Sequence, residues 1–129
     1  MNRGTAKKSS FVRVEKVGAK LPGVEVSTYF GTPALKLEGE MIACMASHKS
    51  AEPDTLVVRV DFLERDLRVA NEPALYYVKP HYSNYPCVLA RLSRVPDSAL
   101  HDLLESGYLF VAKGRKKAPT RRAPPRRAS

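Results

Sequence analysis

The pattern that most limits the fold is a change of hydrophobic period along the chain. Phe11, Val14, Val17 and Leu21 repeat at three- and four-residue spacing, and so do Leu100, Leu103, Leu104, Tyr108 and Val111. Such spacing puts each set on one face of an α-helix. Between them, from Tyr29 onward, the period is two, the repeat of a half-buried strand. Ala34 to Leu37 and Met41 to Ala46 flank Glu38-Gly39-Glu40, which reads as a tight hairpin turn. Thr55-Leu56-Val57-Val58-Arg59-Val60 is the strongest strand in the chain, and residues 75–78 and 87–92 predict two more.

Local signals mark where the elements stop. Ser9 or Ser10 can cap the first helix, and Pro22-Gly23 ends it. Asp61-x-x-Glu64 has the form of a capping box opening a short helix with Leu63, Leu67 and Ala70 on its apolar side. Asn71-Glu72-Pro73 closes that helix, and Asp97 or Ser98 caps the last one. The predicted order is helix, hairpin, strand, short helix, two strands, helix. Short connections favour an antiparallel sheet, and the two terminal helices can cover one of its faces. The expected fold class is therefore α+β, a two-layer sandwich.

Charge divides the chain unevenly. Lys113, Arg115, Lys116, Lys117, Arg121, Arg122, Arg126 and Arg127 supply eight of the 22 basic residues, with no acidic residue after Lys113. The remaining fourteen basic residues face thirteen acidic ones, a net of +1 for residues 1–112. Lys, Arg, Ala and Pro dominate residues 113–129, which reads as a disordered cationic arm. The expected organisation is a flexible N-terminus over 1–9, one domain over 10–112, and the tail. A domain of this length buries enough surface to need no disulfide or metal. The two cysteines, Cys44 and Cys87, then fit a reducing compartment. Residues 1–10 do not resemble a signal peptide and no run suits a membrane span, so a soluble cytoplasmic protein is expected.

The sequence holds no Walker loop, Gly-x-Ser-x-Gly elbow or dinucleotide turn. Asp61, Glu64 and Asp66 are explained by helix capping and solvent exposure. Cys44, His48, His81 and Cys87 lack the paired spacing of a metal knuckle, and both cysteines fall in strands. No catalytic residue, metal or cofactor is expected. What remains is a cationic surface. If Leu35, Leu37, Leu56, Val58, Val60, Val88, Ala90 and Leu92 face the helices, alternation sends Lys36, Arg59 and Arg91 to the other face. Lys79, His81, Tyr82 and Tyr85, from the aromatic loop between the last two strands, would border it. Such a face could meet phosphates and stack on bases. The competing reading is that these are solvated charges paired with the chain's own carboxylates.

Leu21-Pro22-Gly23-Val24-Glu25, Phe30-Gly31-Thr32-Pro33-Ala34-Leu35-Lys36, Leu56-Val57-Val58-Arg59-Val60-Asp61 with Glu64-Arg65-Asp66, and Tyr76-Tyr77-Val78 with His81-Tyr82 and Tyr85-Pro86 follow in order. Together they resemble the MmcQ/YjbR proteins from about Phe11 to Val111. The resemblance implies a frataxin-like (CyaY-like) sandwich, described for that family as a double-wing DNA-binding motif, in small cytoplasmic bacterial proteins. Where that family commonly has Gly-Tyr-Pro-Trp, this chain has Asn84-Tyr85-Pro86-Cys87. The resulting expectation is a non-enzymatic DNA-binding protein using the sheet face, the aromatic loop and the tail. The alternative is a protein- or small-ligand-binding module.

Overall fold

In a computed structural model the backbone is described from Arg3 to Arg122 and side chains from Phe11 to Gly114. The elements in order are α1 (Arg3–Gly18), β1 (Val24–Tyr29), β2 (Thr32–Leu37), β3 (Glu40–Met45), β4 (Thr55–Arg59), α2 (Phe62–Asn71), β5 (Tyr76–Tyr77), β6 (Cys87–Arg91) and α3 (Asp97–Arg122). The six strands form one antiparallel sheet in the order β1-β2-β3-β4-β6-β5. The expected α+β sandwich is the fold observed. No described helix is long and apolar enough to cross a membrane.

The two faces divide as strand alternation requires. Leu35, Leu37, Leu56, Val58, Val88, Ala90 and Leu92 join Phe11, Val14, Val17, Leu100, Leu103 and Leu104 in the main core. In β3 the alternation breaks, because Leu35 pairs with Ala43 while Lys36 pairs with Met41. Ile42 is the extra residue of a β-bulge, and both Ile42 and Ala43 join the helix-side core. Arg13 ties the layers together. Its guanidinium donates to Asp97 Oδ1 at 2.6 Å, to the Leu92 carbonyl at 2.9 Å, and to the Val95 carbonyl.

Close approach of α3 to the sheet depends on Gly107. A β-carbon there would lie 2.9 Å from Val58 Cγ1 and 3.1 Å from both the Arg59 carbonyl oxygen and Ile42 Cγ2. Any side chain there would force Val58, Ile42 and the Arg59 carbonyl to give way.

Several boundaries differ from the sequence reading. Residues 24–29 form the edge strand β1, which the weak alternation of a strand exposed on its outer side did not announce. Helical backbone starts at Arg3, inside the segment expected to be flexible, and α1 ends at Gly18, so Leu21 packs from the following turn. The last helix continues to Arg122, past residue 112, through a stretch rich in the helix formers Ala, Lys and Arg. The predicted strand at 75–78 is only Tyr76–Tyr77. Asp61 does cap α2, its Oδ1 accepting from the Glu64 amide at 2.8 Å. However, Leu63 and Leu67, expected against the core, are 69% and 52% exposed, and α2 buries none of its residues. Arg65, Arg68 and Val69 hold it instead. Arg68 bonds Glu64 at 2.8 Å and reaches Tyr76 Oη and Ser106 Oγ at 3.3 Å, Arg65 donates to the Ser83 carbonyl at 2.8 Å, and Val69 packs on the core.

Candidate functional site

The sheet face away from α1 and α3 carries a second apolar cluster of Ala34, Cys44, Val57, Tyr77, Tyr82, Cys87 and Leu89. The segment between β5 and β6 folds back over it. Lys79 is extended (φ −117°, ψ 158°), as the residue before a proline tends to be, and Pro80–Tyr82 forms one turn of 3₁₀-helix. Backbone bonds from Tyr82 to Lys79, Ser83 to Pro80 and Tyr85 to Tyr82 set the turn, which drops the Tyr82 ring onto the face. Tyr77 Oη anchors the neighbouring loop, meeting Thr55 Oγ1 at 2.6 Å and accepting from the Glu52 amide at 2.8 Å.

Beside this cover lies an open groove of about 630 Å³. Met41, Cys44, Val57 and Cys87 line it from the strands. Tyr29 and Phe30 line it from the β1–β2 turn, and His81, Tyr82, Tyr85 and Pro86 from the loop, with Arg59 as its cation. Phe30 and Gly31 have φ of 50° and 80°, the positive values of a type I′ turn. Glu38 and Gly39, at 50° and 86°, form a similar turn between β2 and β3. Positive φ is uncommon for any residue except glycine and is strained for a bulky one. Phe30 is also 82% exposed, touching Tyr29 edge-on with ring centroids 4.7 Å apart. Neither backbone preference nor burial accounts for a phenylalanine there. Tyr85, at 59% exposed, is the matching aromatic on the loop side.

The predicted cations fare differently. Lys36 lies on the open face in β2, half-buried, opposite Glu25 and Met41, but does not line the groove. Arg59 donates to the Met41 carbonyl at 3.3 Å, sits 3.7 Å from Glu40 Oε1, and lies over the Phe110 ring at 5.4 Å. Arg91 is structural. It pairs with Glu52 through two bonds of 2.8 and 3.0 Å, donates to the Pro73 and Ala74 carbonyls, and covers the Tyr77 ring at 4.3 Å. Four of its five N–H donors face groups of its own chain, so the competing reading of paired charges holds for Arg91. The Lys79 ammonium lies 5.9 Å from the Tyr77 ring centre. Lys113 is exposed on α3. The side chains of Arg115, Lys116, Lys117, Arg121 and Arg122, and the whole of Arg126 and Arg127, lie outside those described.

His81 stacks on His48, with centroids 3.6 Å apart and planes 10° from parallel. His48 Nδ1 meets Ser50 Oγ at 2.8 Å and accepts from the Ser50 amide at 3.0 Å. Desolvation, then the neighbouring His81 and Lys49, push the His48 pKa below its ordinary value.

Both thiols are free and buried. Burial pushes Cys44 up to about 11, against the Thr32 hydroxyl bond that lowers it, and Cys87 up to about 11, against Arg65 and Arg59. A thiolate is disfavoured at both positions. Cys44 pairs with Val57 on one side of β4, while Cys87 pairs with Arg59 on the other, so two strand spacings separate them. That is about 10 Å, beyond the Cα separation a disulfide tolerates. His101, Asp102 and Glu105 on α3 place ligand atoms within 4.8 Å of one another, but the two carboxylates are solvent-exposed and nothing buried fixes them.

No protein-family model matches this chain. Over 44 residues it is 36% identical to the uncharacterized proteins Rv2570 of Mycobacterium tuberculosis and Mb2600 of Mycobacterium bovis. That match covers 34% of this chain and 34% of each relative, so it spans about a third of the length of those curated proteins. Among solved structures, the chain is similar to Deinococcus radiodurans protein DR2400, a DUF419 domain, with a TM-score of 0.62. That likeness covers 78% of this chain and 76% of the other at 23% identity, which shows the shared fold.

The groove's aromatic rim was only partly legible. Tyr82 and Tyr85 stood out as tyrosines in a loop. Phe30 was missed as a site residue. Its signal was a bulky aromatic directly before glycine between two alternating stretches, where a hairpin turn normally wants Asn or Asp. His48 carries no sequence signal of its stacking, because its partner His81 lies far along the chain.

Proposed function

We propose that the chain is an MmcQ/YjbR-like nucleic-acid-binding module whose groove takes unpaired bases while the cationic tail contacts phosphates. The DUF419 neighbour, a domain of the MmcQ/YjbR-like family, supports the family reading. The observation that carries the functional reading is Phe30, held at positive φ and 82% exposed at the mouth of a groove. A strained, exposed aromatic points to function rather than to stability. With Tyr85 opposite, it offers flat surfaces on which bases of any sequence can stack. The groove favours single strands over duplex, because stacked and paired bases cannot reach these rings. Arg59 supplies one cation at the groove, and the eight basic residues after Ala112 supply sequence-independent affinity.

The test is binding of the full chain to single-stranded and duplex DNA across a salt series. Replacing Phe30 with Ser should weaken single-strand binding by about 1–3 kcal/mol, roughly 5- to 150-fold. Changing the tail cations to Gln should flatten the salt dependence by about 0.7 per lost contact. If F30S binds single strands as tightly as the parent, the groove has no part in the interaction.

A second reading is a site for a small amphipathic ligand. It is favoured by the apolar lining of Met41, Val57 and Phe30 together with Arg59 already 3.7 Å from Glu40, which lowers the groove's pull on a polyanion. Groove-dependent binding of aromatic carboxylates without any F30S effect on DNA would favour it.

A further inference from the structure

The outer edge of β1 is the least protected surface of the sheet. Among the described residues no strand pairs with it, whereas the opposite edge, β5, is only two residues long. Natural edges are blunted by charged side chains, lysine above all, by proline, by bulges or by inward-pointing charge, and β1 carries a single charge, Glu25. The β1 sequence Val-Glu-Val-Ser-Thr-Tyr contains no lysine or proline, and its pairing with β2 runs without a register shift. Val26, a strand-former, is 57% exposed.

The register shows which backbone groups are open. A two-residue type I′ turn makes Tyr29–Thr32 the closing hydrogen-bonded pair. Pairs then alternate, so Thr28–Pro33, Val26–Leu35 and Val24–Leu37 are non-hydrogen-bonded. Pro33, which has no N–H to donate, fits such a position. The amides and carbonyls of Val26 and Thr28 therefore point away from β2, into solvent. Val24 differs, since its amide bonds the Leu21 carbonyl at 3.3 Å.

We infer that β1 pairs antiparallel with β1 of a second copy of this chain, with Ser27 on the two-fold axis. In that register Val26 and Thr28 of each copy exchange bonds with Thr28 and Val26 of the other, four in all. The one charge on the strand, Glu25, falls opposite Tyr29 of the other copy and not opposite its own counterpart. Sliding the two strands by four residues relative to one another would bring the two Glu25 carboxylates face to face, a like-charge contact that opposes that register. Self-pairing leaves every open group of Val26 and Thr28 matched, which is the argument for a second copy over an unrelated strand. The axis runs perpendicular to the sheet. Both grooves then lie on the same side of a continuous twelve-stranded sheet, with α1 and α3 of each copy on the other. The inference stands on backbone geometry and does not depend on what the groove binds.

Sedimentation equilibrium of the full chain, run up to its solubility limit, should show mass rising from 14.3 kDa toward twice that value. Thr28→Pro removes an outward amide that the monomer does not use, so it should stay folded and remain monomeric. Ser27→Cys offers an independent check on unaltered pairing. Its two Cα atoms would face each other at about 4.5 Å across a non-hydrogen-bonded pair, within disulfide range, so mild oxidation should give a covalent dimer. Glu25→Cys should not cross-link, because its copies are displaced by four residues, about 13 Å. Cys44 and Cys87 are buried and do not interfere. A mass of 14.3 kDa at every concentration with no S27C dimer overturns the inference. So does a dimer that survives T28P and does not cross-link through S27C, since its interface lies elsewhere.

Discussion

Arg91 on β6 and Glu52 in the β3–β4 loop form a two-bond ion pair, Nε to Oε1 at 2.8 Å and Nη2 to Oε2 at 3.0 Å, over the ring of Tyr77. The pair fastens a loop to a central strand from a site where a ligand-binding cation was expected. Arg91→Ala should destabilise the fold by about 2 kcal/mol, since it also strands the Pro73 and Ala74 carbonyls and uncovers Tyr77. Thermal or urea melts check this, and DNA affinity should be unchanged where the variant is folded.

The same pair sets a pH dependence. The Arg91 hydrogen bond holds the Glu52 carboxyl below its ordinary value of 4.5, outweighing the opposing effect of burial. A carboxylate with a depressed native pKa contributes stability above its unfolded pKa and loses it as pH falls through the native value. Glu52→Gln should therefore be less stable than the parent at neutral pH, by about 0.5–1 kcal/mol for so solvent-screened a pair. The gap should close below about pH 4. Parallel melts at pH 7 and pH 3 that show an unchanged gap would remove the ion pair from the account.

Gly107 and Gly114 lie on the same helix and should respond in opposite directions to alanine. At Gly107 the new methyl would meet Val58, Ile42 and the Arg59 carbonyl within 2.9–3.1 Å, so a loss of about 1–3 kcal/mol is expected. At Gly114 nothing lies within 4 Å, and helix propensity alone should add about 0.5–1 kcal/mol. Denaturant midpoints of the two variants settle the matter.

Phe30→Asn should make the protein more stable and a poorer binder. Asparagine tolerates the positive φ of the turn, which should relieve about 1 kcal/mol of strain at a side chain that buries almost nothing. Groove affinity should fall at the same time. A variant that loses stability instead would show that Phe30 is held by packing after all.

Cys44 and Cys87 should resist thiol reagents in the native protein. With both groups buried and pushed up to about 11, little thiolate exists near pH 8. An aromatic disulfide reagent should label neither thiol quickly under native conditions and both in denaturant. Fast native labelling of either would mean that the groove floor opens.

Much of the framework followed from local pattern. Alternation in Thr55–Val60 and 87–92 placed Val58, Val88 and Ala90 under the helices and Val57 and Leu89 on the other face, as observed. Asp61 announced its own cap. These features depend on neighbours within a few residues, and the chain states them directly.

What only the tertiary structure decided depends on residues far apart. The amphipathic pattern of α2 says that Leu63 and Leu67 share a side; it does not say that Arg65 and Arg68 hold the helix and leave those leucines in solvent. Arg91 reads as a free cation until Glu52, 39 positions away, closes on it. His48 and His81 become a stack only when two loops meet. By itself the sequence determined most of the strands, their buried faces and the concentration of basic charge after Ala112, because period and composition are local properties. The groove and the strained Phe30 at its mouth arise where a turn, a loop and three strands converge, and partner choice across such distances is a property of the folded chain.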